Sequence, residues 1–317
     1  MQAMFGFVLV LPLMLIIITG NFLRSRGFYN ENDIKTLTKT LYWVILPPLL
    51  IRTTFTSGSE VFAQLDLLIG LTLAYIITIA AAAAGAVFLY HRNNRERIAV
   101  SVFSSIRANN IYLGFPVIML AMGEAGLRDA SIYIAVSTVT FQILSIMSGE
   151  MALYGKPDMS GIREMLKRLV INPLIISCVL GIGLAVAGLS SLPLVIDETM
   201  KLMGSAATAI ALLALGGTLD LSRISSIFKM IRRTWQDCLI KLVVHPLILW
   251  GLLLALSVPG PLLKVTVMLS SMPSAVNCFI MAKEMNMDSD YAADLVASTT
   301  VLGIITIPIW ANLLQII

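Results

Sequence analysis

The sequence predicts an all-α polytopic membrane protein: ten transmembrane helices in two inverted five-helix repeats, with helices 4 and 9 broken and crossing. Three observations carry this. Of the 317 residues 58% are hydrophobic and only 13% charged, with a mean hydropathy of +0.89, which is too little charge to cover a soluble surface of this size. Apolar stretches of spanning length recur along the whole chain, since a bilayer core of about 30 Å takes roughly twenty helical residues. Basic residues gather in alternate loops, as orientation in a membrane demands.

In chain order the spans are Ala3 to Leu23, Leu37 to Phe55, Asp66 to Tyr90, Arg97 to Met122, Asp129 to Leu153, Leu169 to Gly188, Val195 to Leu219, Thr234 to Ser257, Leu262 to Lys283 and Tyr291 to Leu314. The first has neither the basic start nor the small-residue cleavage site of a signal peptide. Arg24 and Arg26 follow it, placing the chain start outside and the first loop in the cytoplasm.

Loop charge tests that count separately from hydropathy. The first, third, fifth and seventh loops hold fifteen basic residues: Arg24, Arg26, Lys35 and Lys39; Arg92, Arg95 and Arg97; Lys156, Arg163, Lys167 and Arg168; Arg223, Lys229, Arg232 and Arg233. The second, fourth, sixth and eighth loops hold only Arg52, Arg128 and Lys264, and Lys283 in the ninth agrees with the alternation. Ten spans with both termini outside give this pattern. The fifth loop, residues 154–168, divides the single membrane domain into repeats of five spans each, residues 1–153 and 169–317. Five is odd, so similar halves insert with opposite orientation. Helix breakers sit at matching places: Gly114 and Pro116 in the fourth span against Pro273 in the ninth, and Pro47-Pro48 in the second against Gly216-Gly217 in the seventh.

The stretch Arg107-Ala-Asn-Asn-Ile-Tyr-Leu-Gly-Phe-Pro116 interrupts an apolar run with a cation, two amides, a glycine and a proline. A mid-helix proline frees a carbonyl, and loose backbone groups survive in a bilayer only where protein or a water-filled cavity satisfies them. With Ser270-Ser-Met-Pro273-Ser-Ala-Val-Asn277 broken at similar depth, one shared site is expected, with positive half-helix N-termini facing an anionic guest. Asn109, Asn110, Ser271, Ser274 and Asn277 supply hydrogen-bonding groups to read a carboxylate, and Gly114, Pro116 and Pro273 shape the breaks. Arg107 falls about 15 Å into its span, near mid-membrane. It serves either as a contact for the guest or as a structural cation on freed carbonyls. Lys201 and Lys241, nearer span ends, are expected to snorkel.

Asp294 and His245 are the candidates for a coupling proton or cation, against readings as helix-dipole compensation and a packed histidine respectively. Glu124 reads as a cap for the next helix. Asn21, Gln142 and Asn312 read as interior polar contacts. Cys178, Cys238 and Cys278, widely spaced in apolar runs, read as buried small hydrophobes rather than metal ligands or a disulfide framework. No metal site, cofactor or nucleic-acid partner is expected: the net charge of +4 records orientation. No hydrolase, zinc or nucleotide motif is present and there are two histidines, so an enzyme is not expected.

Several motifs in order resemble one family. They are Leu11-Pro12 to Gly20-Asn-Phe-Leu-Arg24, Val44-Ile-Leu-Pro47-Pro-Leu-Leu-Ile-Arg52, Gly114-Phe-Pro116 with Gly123-Glu124-Ala-Gly126, Ala214-Leu-Gly216-Gly-Thr-Leu219, Lys241-Leu-Val-Val-His245-Pro246 and Met272-Pro273-Ser-Ala-Val-Asn277. Together they are similar to the auxin efflux carrier family, with a short fifth loop like that of its bacterial members. The resemblance implies a fold similar to sodium/proton antiporters and bile-acid symporters, with spans four and nine crossing near Pro116 and Pro273. It implies a homodimer through spans one, two, six and seven, and a carrier for a small organic carboxylate such as malate or malonate in the cytoplasmic membrane. The alternative is a membrane sensor that binds a carboxylate without moving it.

Overall fold

A chain this apolar has to satisfy its backbone within its own segments. The computed structural model describes residues 2–57, 64–91, 94–155, 170–218 and 226–316, without the side chains of residues 2–10, 89 and 90. Every regular element among them is a helix. In order these are α1 (Gln2–Ser25), α2 (Glu31–Thr40), α3 (Leu46–Ser57), α4 (Leu65–Gly85), α5 (Arg95–Ser104), α6 (Phe115–Tyr154), α7 (Pro173–Val186), α8 (Leu194–Ser205), α9 (Ala207–Thr218), α10 (Ile227–Leu239), α11 (His245–Ala255), α12 (Gly260–Ser270), α13 (Asn277–Glu284) and α14 (Ser289–Leu313). Each of the ten apolar segments read from the sequence carries helix. Among the described residues five helical runs are long and apolar enough to cross a membrane: Leu65–Phe88, Asn110–Tyr154, Leu194–Thr218, Ile227–Ala255 and Ser289–Leu313. Shorter apolar helices at Leu11–Ser25, Pro173–Val186 and Gly260–Ser270 accompany them. The basic fifth loop lies, from residue 156 onward, outside the described residues, as do Arg92 and Arg223.

The longest run doubles back. Gly123 takes φ 63° and ψ −149° inside α6, a backbone state that a side chain would strain. Beyond it Ser145 meets Arg107 and Gly149 meets Phe103, so the two arms of α6 run in opposite directions. The predicted turn between spans four and five is therefore a single residue wide.

Three prolines show how the chain keeps its ladder intact. π-Helical turns occupy Leu41–Ile45, Asn110–Gly114 and Ile240–Val244, and in each case a proline follows two residues later: Pro47, Pro116 and Pro246. A proline has no N–H and its ring crowds the carbonyl four residues back, so widening the preceding turn relieves the clash without breaking the helix. One freed carbonyl has a new donor: Leu242, four residues before Pro246, accepts from the indole N–H of Trp310 at 2.8 Å. Pro47-Pro48 thus do not break the second span. Gly216-Gly217 do not break the seventh either, because both lie inside α9, and the interruption falls at Ala206. The glycines instead allow close packing: a Cβ on Gly216 would sit 1.9 Å from the Ile17 carbonyl oxygen. α9 packs along α1 through this contact, with Asn21 and Arg24 donating to the carbonyls of Gly216 and Gly217. One continuous apolar core ties α1, α3, α4, α6, α9, α11, α12 and α14 together.

Candidate functional site

α5 stops at Ser104 and helix resumes only at Asn110; α12 stops at Ser270 and helix resumes at Asn277. The two gaps pair with each other. Ala108 and Ser274 form an isolated antiparallel bridge, in which Asn109 N–H donates to Pro273 C=O at 2.8 Å and Ala275 N–H donates to Arg107 C=O at 3.0 Å. The backbone groups that the breaks release therefore satisfy one another. Pro273 lies at this crossing, but Pro116 does not: the fourth span breaks at residues 105–109, and Pro116 lies inside the second half-helix, past its start at Asn110.

At the crossing two half-helices end and two begin. One end is met by a cation. Lys241 is buried at 1% exposure and donates to the Ser270 carbonyl at 2.7 Å, so it turns inward and does not snorkel. Arg107 follows the end of α5. The two beginnings, Asn110–Tyr112 and Ala275–Asn277, line a cavity of about 320 Å³ together with Arg107, Asn109, Tyr42, Thr138, Gln142 and Asn172.

Arg107 is 2% exposed. Its guanidinium donates to Gln142 Oε1 at 2.5 Å, to Ser145 Oγ at 3.0 Å and to Met281 Sδ at 3.1 Å, and lies 4.8 Å and 5.5 Å from the rings of Phe103 and Phe141. Its partners are neutral: no carboxylate lies within salt-bridge range among the described residues, and Nε has no partner. The charge is solvated by dipoles and π faces yet left uncompensated. The carbonyl partners expected of a purely structural cation are replaced by an amide and a hydroxyl from α6.

Among the other predicted site residues, Asn109 caps the second half-helix by accepting from Tyr112 N–H, and Asn110 donates to the Tyr133 hydroxyl at 3.3 Å while its buried Oδ1 has no partner among the described residues. Asn277 lies exposed in the cavity wall at the head of α13. Ser271, Pro273 and Ser274 lie behind it. Ser271 donates to Met268 C=O, the Ser274 N–H donates to Thr299 Oγ1, and Pro273 packs against Gly303. Gly114 faces Leu269, where a Cβ would come within 2.7 Å of the Leu269 side chain. Pro116 belongs to a second, larger cavity of about 710 Å³ on the far flank of the crossing, lined also by Arg52, Glu124 and Lys201. Arg52 pairs there with Asp197 at 2.8 Å and Glu124 at 3.5 Å, so Glu124, expected as a helix cap, is used to join spans. Tyr42, Thr138 and Asn172 were not singled out by sequence, because a single polar side chain on an apolar helix carries no sign of which face it occupies.

The coupling candidates lie away from the cavity. His245 contacts Thr78 Oγ1 at 3.0 Å and stacks on Tyr75. Asp294 is ion-paired with Arg233, at the head of α14. There Asp288 also takes Arg97 at 2.8 Å and Arg233 at 3.5 Å. Burial works against ionised Asp288, but the Arg97 hydrogen bond and both guanidiniums outweigh it and hold its carboxyl below the usual range. The three cysteines are free and buried, and among the described residues no group of three or more His, Cys, Asp or Glu could hold a metal ion.

An all-helical apolar chain whose two broken helices cross beside a buried cation is an integral membrane protein of the transporter class. Residues 5–311 match the model of the family described as membrane transport protein, and the chain belongs to this family, the auxin efflux carrier family that its motifs resemble. Three relatives carry transporter names. One, an "Uncharacterized transporter" of Methanothermobacter thermautotrophicus, is 25% identical over 96% of this chain and 97% of its own length. A "Putative malonate transporter" of Rhizobium meliloti is 25% identical over 94% of this chain and 92% of its own. An uncharacterized transporter of Methanocaldococcus jannaschii is 23% identical over 96% and 97%.

Proposed function

We propose that the protein is a secondary transporter that moves an organic carboxylate across the cytoplasmic membrane by alternating access, with the guest held at the crossing of the fourth and ninth spans. The observation that carries this reading is the buried, uncompensated guanidinium of Arg107 in the cavity wall. A carboxylate there would neutralise it, while the half-helix beginnings at Asn110 and Asn277 add partial positive charge. Asn109, Asn110 and Asn277 are the groups that orient it. Ser271, Pro273, Ser274 and Gly114 hold the crossing from behind, and Pro116 shapes the far cavity. The two cavities share only Ile111 among their described lining residues, so a thin barrier separates the flanks that alternating access would open in turn. The name of the Rhizobium meliloti relative makes malonate the first guest to test.

In this reading the chain forms ten spans in inverted repeats, residues 1–153 and 169–317, joined by the linker 154–168, with both termini outside. It assembles as a homodimer through spans one, two, six and seven. A coupling role for Asp294 would require its pair with Arg233 to open; for His245, its bond to Thr78. Counterflow of labelled malonate in proteoliposomes tests the function: saturable exchange that Arg107→Ala abolishes, with the variant protein still inserted, is the expected result. Binding without exchange would make the protein a sensor instead, and near-normal exchange by Arg107→Ala would remove the anion site from the crossing.

A further inference from the structure

We propose that Asp237 is a proton-binding site, and that its charge state sets how the ends of α5, α10 and α14 are pinned together. As the coupling site of a carrier it rests on the transport reading above; as a buried titrating acid it does not.

Asp237 is 4% exposed. One carboxyl oxygen, Oδ2, accepts from Ser101 Oγ of α5 and from the Tyr291 hydroxyl of α14, both at 2.7 Å. The other, Oδ1, is buried with no partner, and no cation lies within salt-bridge range among the described residues. An ionised carboxylate with two hydrogen bonds and no counter-ion is a costly thing to bury, whereas the neutral acid leaves only one hydroxyl wanting. A proton on Oδ1 removes the uncompensated charge. A metal or sodium ion fits less well, because the Arg97 and Arg233 guanidiniums flank the site.

The surrounding charges say the same. Arg97 on α5 and Arg233 on α10 lie over the Tyr291 ring at 5.7 Å and 5.3 Å, and pair with Asp288 and Asp294 at the head of α14. Two guanidiniums and two carboxylates cancel, so the cluster is balanced when Asp237 is neutral and carries a net negative charge when it is not. The remaining ionisable neighbours form no ion pair with Asp237 among the described residues. Cys238 contacts Thr234, and Lys241, one turn deeper at about 6 Å along the axis, is committed to Ser270. His91 Nε2 lies 3.1 Å from the Tyr291 hydroxyl. Since that hydroxyl gives its one hydrogen to Asp237, the His91 N–H donates to it, forming a directed chain from the loop before α5 to the acid. Burial, reinforced by Arg97 and Arg233, brings the His91 pKa down to about 4, so the imidazole stays neutral where Asp237 would exchange its proton.

Loss of the proton would draw Arg97 and Arg233 from Asp288 and Asp294 toward Asp237. Ser101 and Arg97 belong to the half-helix that leads into the crossing, and Lys241 carries α10 to the other broken span, so the change reaches both halves of the site. Protonation adds one H⁺ to Oδ1 and removes one negative charge; nothing else is consumed.

The test has two arms. Infrared difference spectra of the full-length protein in detergent, recorded as pH is raised from about 5 to about 8, should show a protonated carboxyl band that bleaches and that Asp237→Asn lacks. In proteoliposomes, Asp237→Asn should keep exchange of labelled malonate at equal pH while losing, by at least about tenfold, the accumulation driven by an imposed pH gradient. Tyr291→Phe, which removes one hydrogen bond from the carboxylate, should shift the bleaching to higher pH, and it serves if Asp237→Asn does not fold. Absence of the band, its persistence in Asp237→Asn, or pH-driven accumulation that survives the substitution overturns the proposal. No malonate exchange in the wild type, with the band present, would instead overturn the transport reading alone.

Discussion

Replacing Arg107 by methionine isolates the charge at the crossing, because methionine keeps most of the volume and the contacts with Phe103 and Phe141. At 2% exposure the guanidinium acts through protein rather than water. A carboxylate about 4 Å away then gains about 4 kcal/mol at an effective dielectric of about 20, against about 1 kcal/mol in bulk water. At 1.4 kcal/mol per factor of ten, the buried value corresponds to roughly a thousandfold loss of affinity and the aqueous value to roughly fivefold. Calorimetric titration of malonate into wild-type and Arg107→Met protein in detergent reads the difference directly. Monodispersity and a thermal melt show that the variant is folded. A loss below about fivefold in folded protein would refute the assignment of Arg107 to the guest and leave it a structural cation of α6.

Three further outcomes follow from contacts away from the cavity. Gly216→Ala puts a methyl 1.9 Å from the Ile17 carbonyl oxygen, and since backbone yields little, a loss of about 1–3 kcal/mol is expected in chemical or thermal unfolding. His91 has its pKa brought to about 4, below its ordinary 6.5, so the unfolded chain takes up the proton first; wild-type stability should fall as pH drops through that window, and His91→Gln should flatten this slope in melts across pH. Asp288 both caps α14, accepting from Tyr291 N–H at 2.8 Å, and pairs with Arg97 and Arg233. Asp288→Asn should keep the cap and lose the charge, while Asp288→Ala loses a further ~1 kcal/mol. Because the Asp288 pKa is lowered, the contribution missing from Asp288→Asn is present at neutral pH and vanishes in acid, as paired melts would show.

Helix positions were legible in the sequence because burial in lipid writes itself as uninterrupted apolar length, and each apolar segment carries helix. The existence of two breaks was legible from Arg107, Asn109 and Pro273, residue types that an undisturbed span excludes. What proline does was not. Pro47, Pro116 and Pro246 look like breakers by composition, yet a single widened turn absorbs each, and that depends on whether a neighbour such as Trp310 can serve the freed carbonyl. Gly216-Gly217 look like breakers for the same reason and are packing notches. The crossing falls at Ala108 and Ser274, set by two backbone bonds that leave no mark in side-chain identity. Asp237 had a signal, a carboxylate just inside an apolar run; its importance depends on Tyr291 and Ser101, which are distant in sequence.

The backbone bridge between the broken helices is made of main-chain amides and carbonyls, from Asn109, Pro273, Ala275 and Arg107, beside the side-chain contact of Arg107 with Met281. Alanine scanning is therefore blind to it: every alanine variant keeps both donors. Proline at position 109 or 275, or an ester in place of either amide, is the only chemical knife that cuts it. The same property frees the wall of the cavity. On the proposed transport reading, side chains there can change with the molecule carried while the frame that presents them stays fixed, so one scaffold could be refitted for different cargoes by ordinary point mutation.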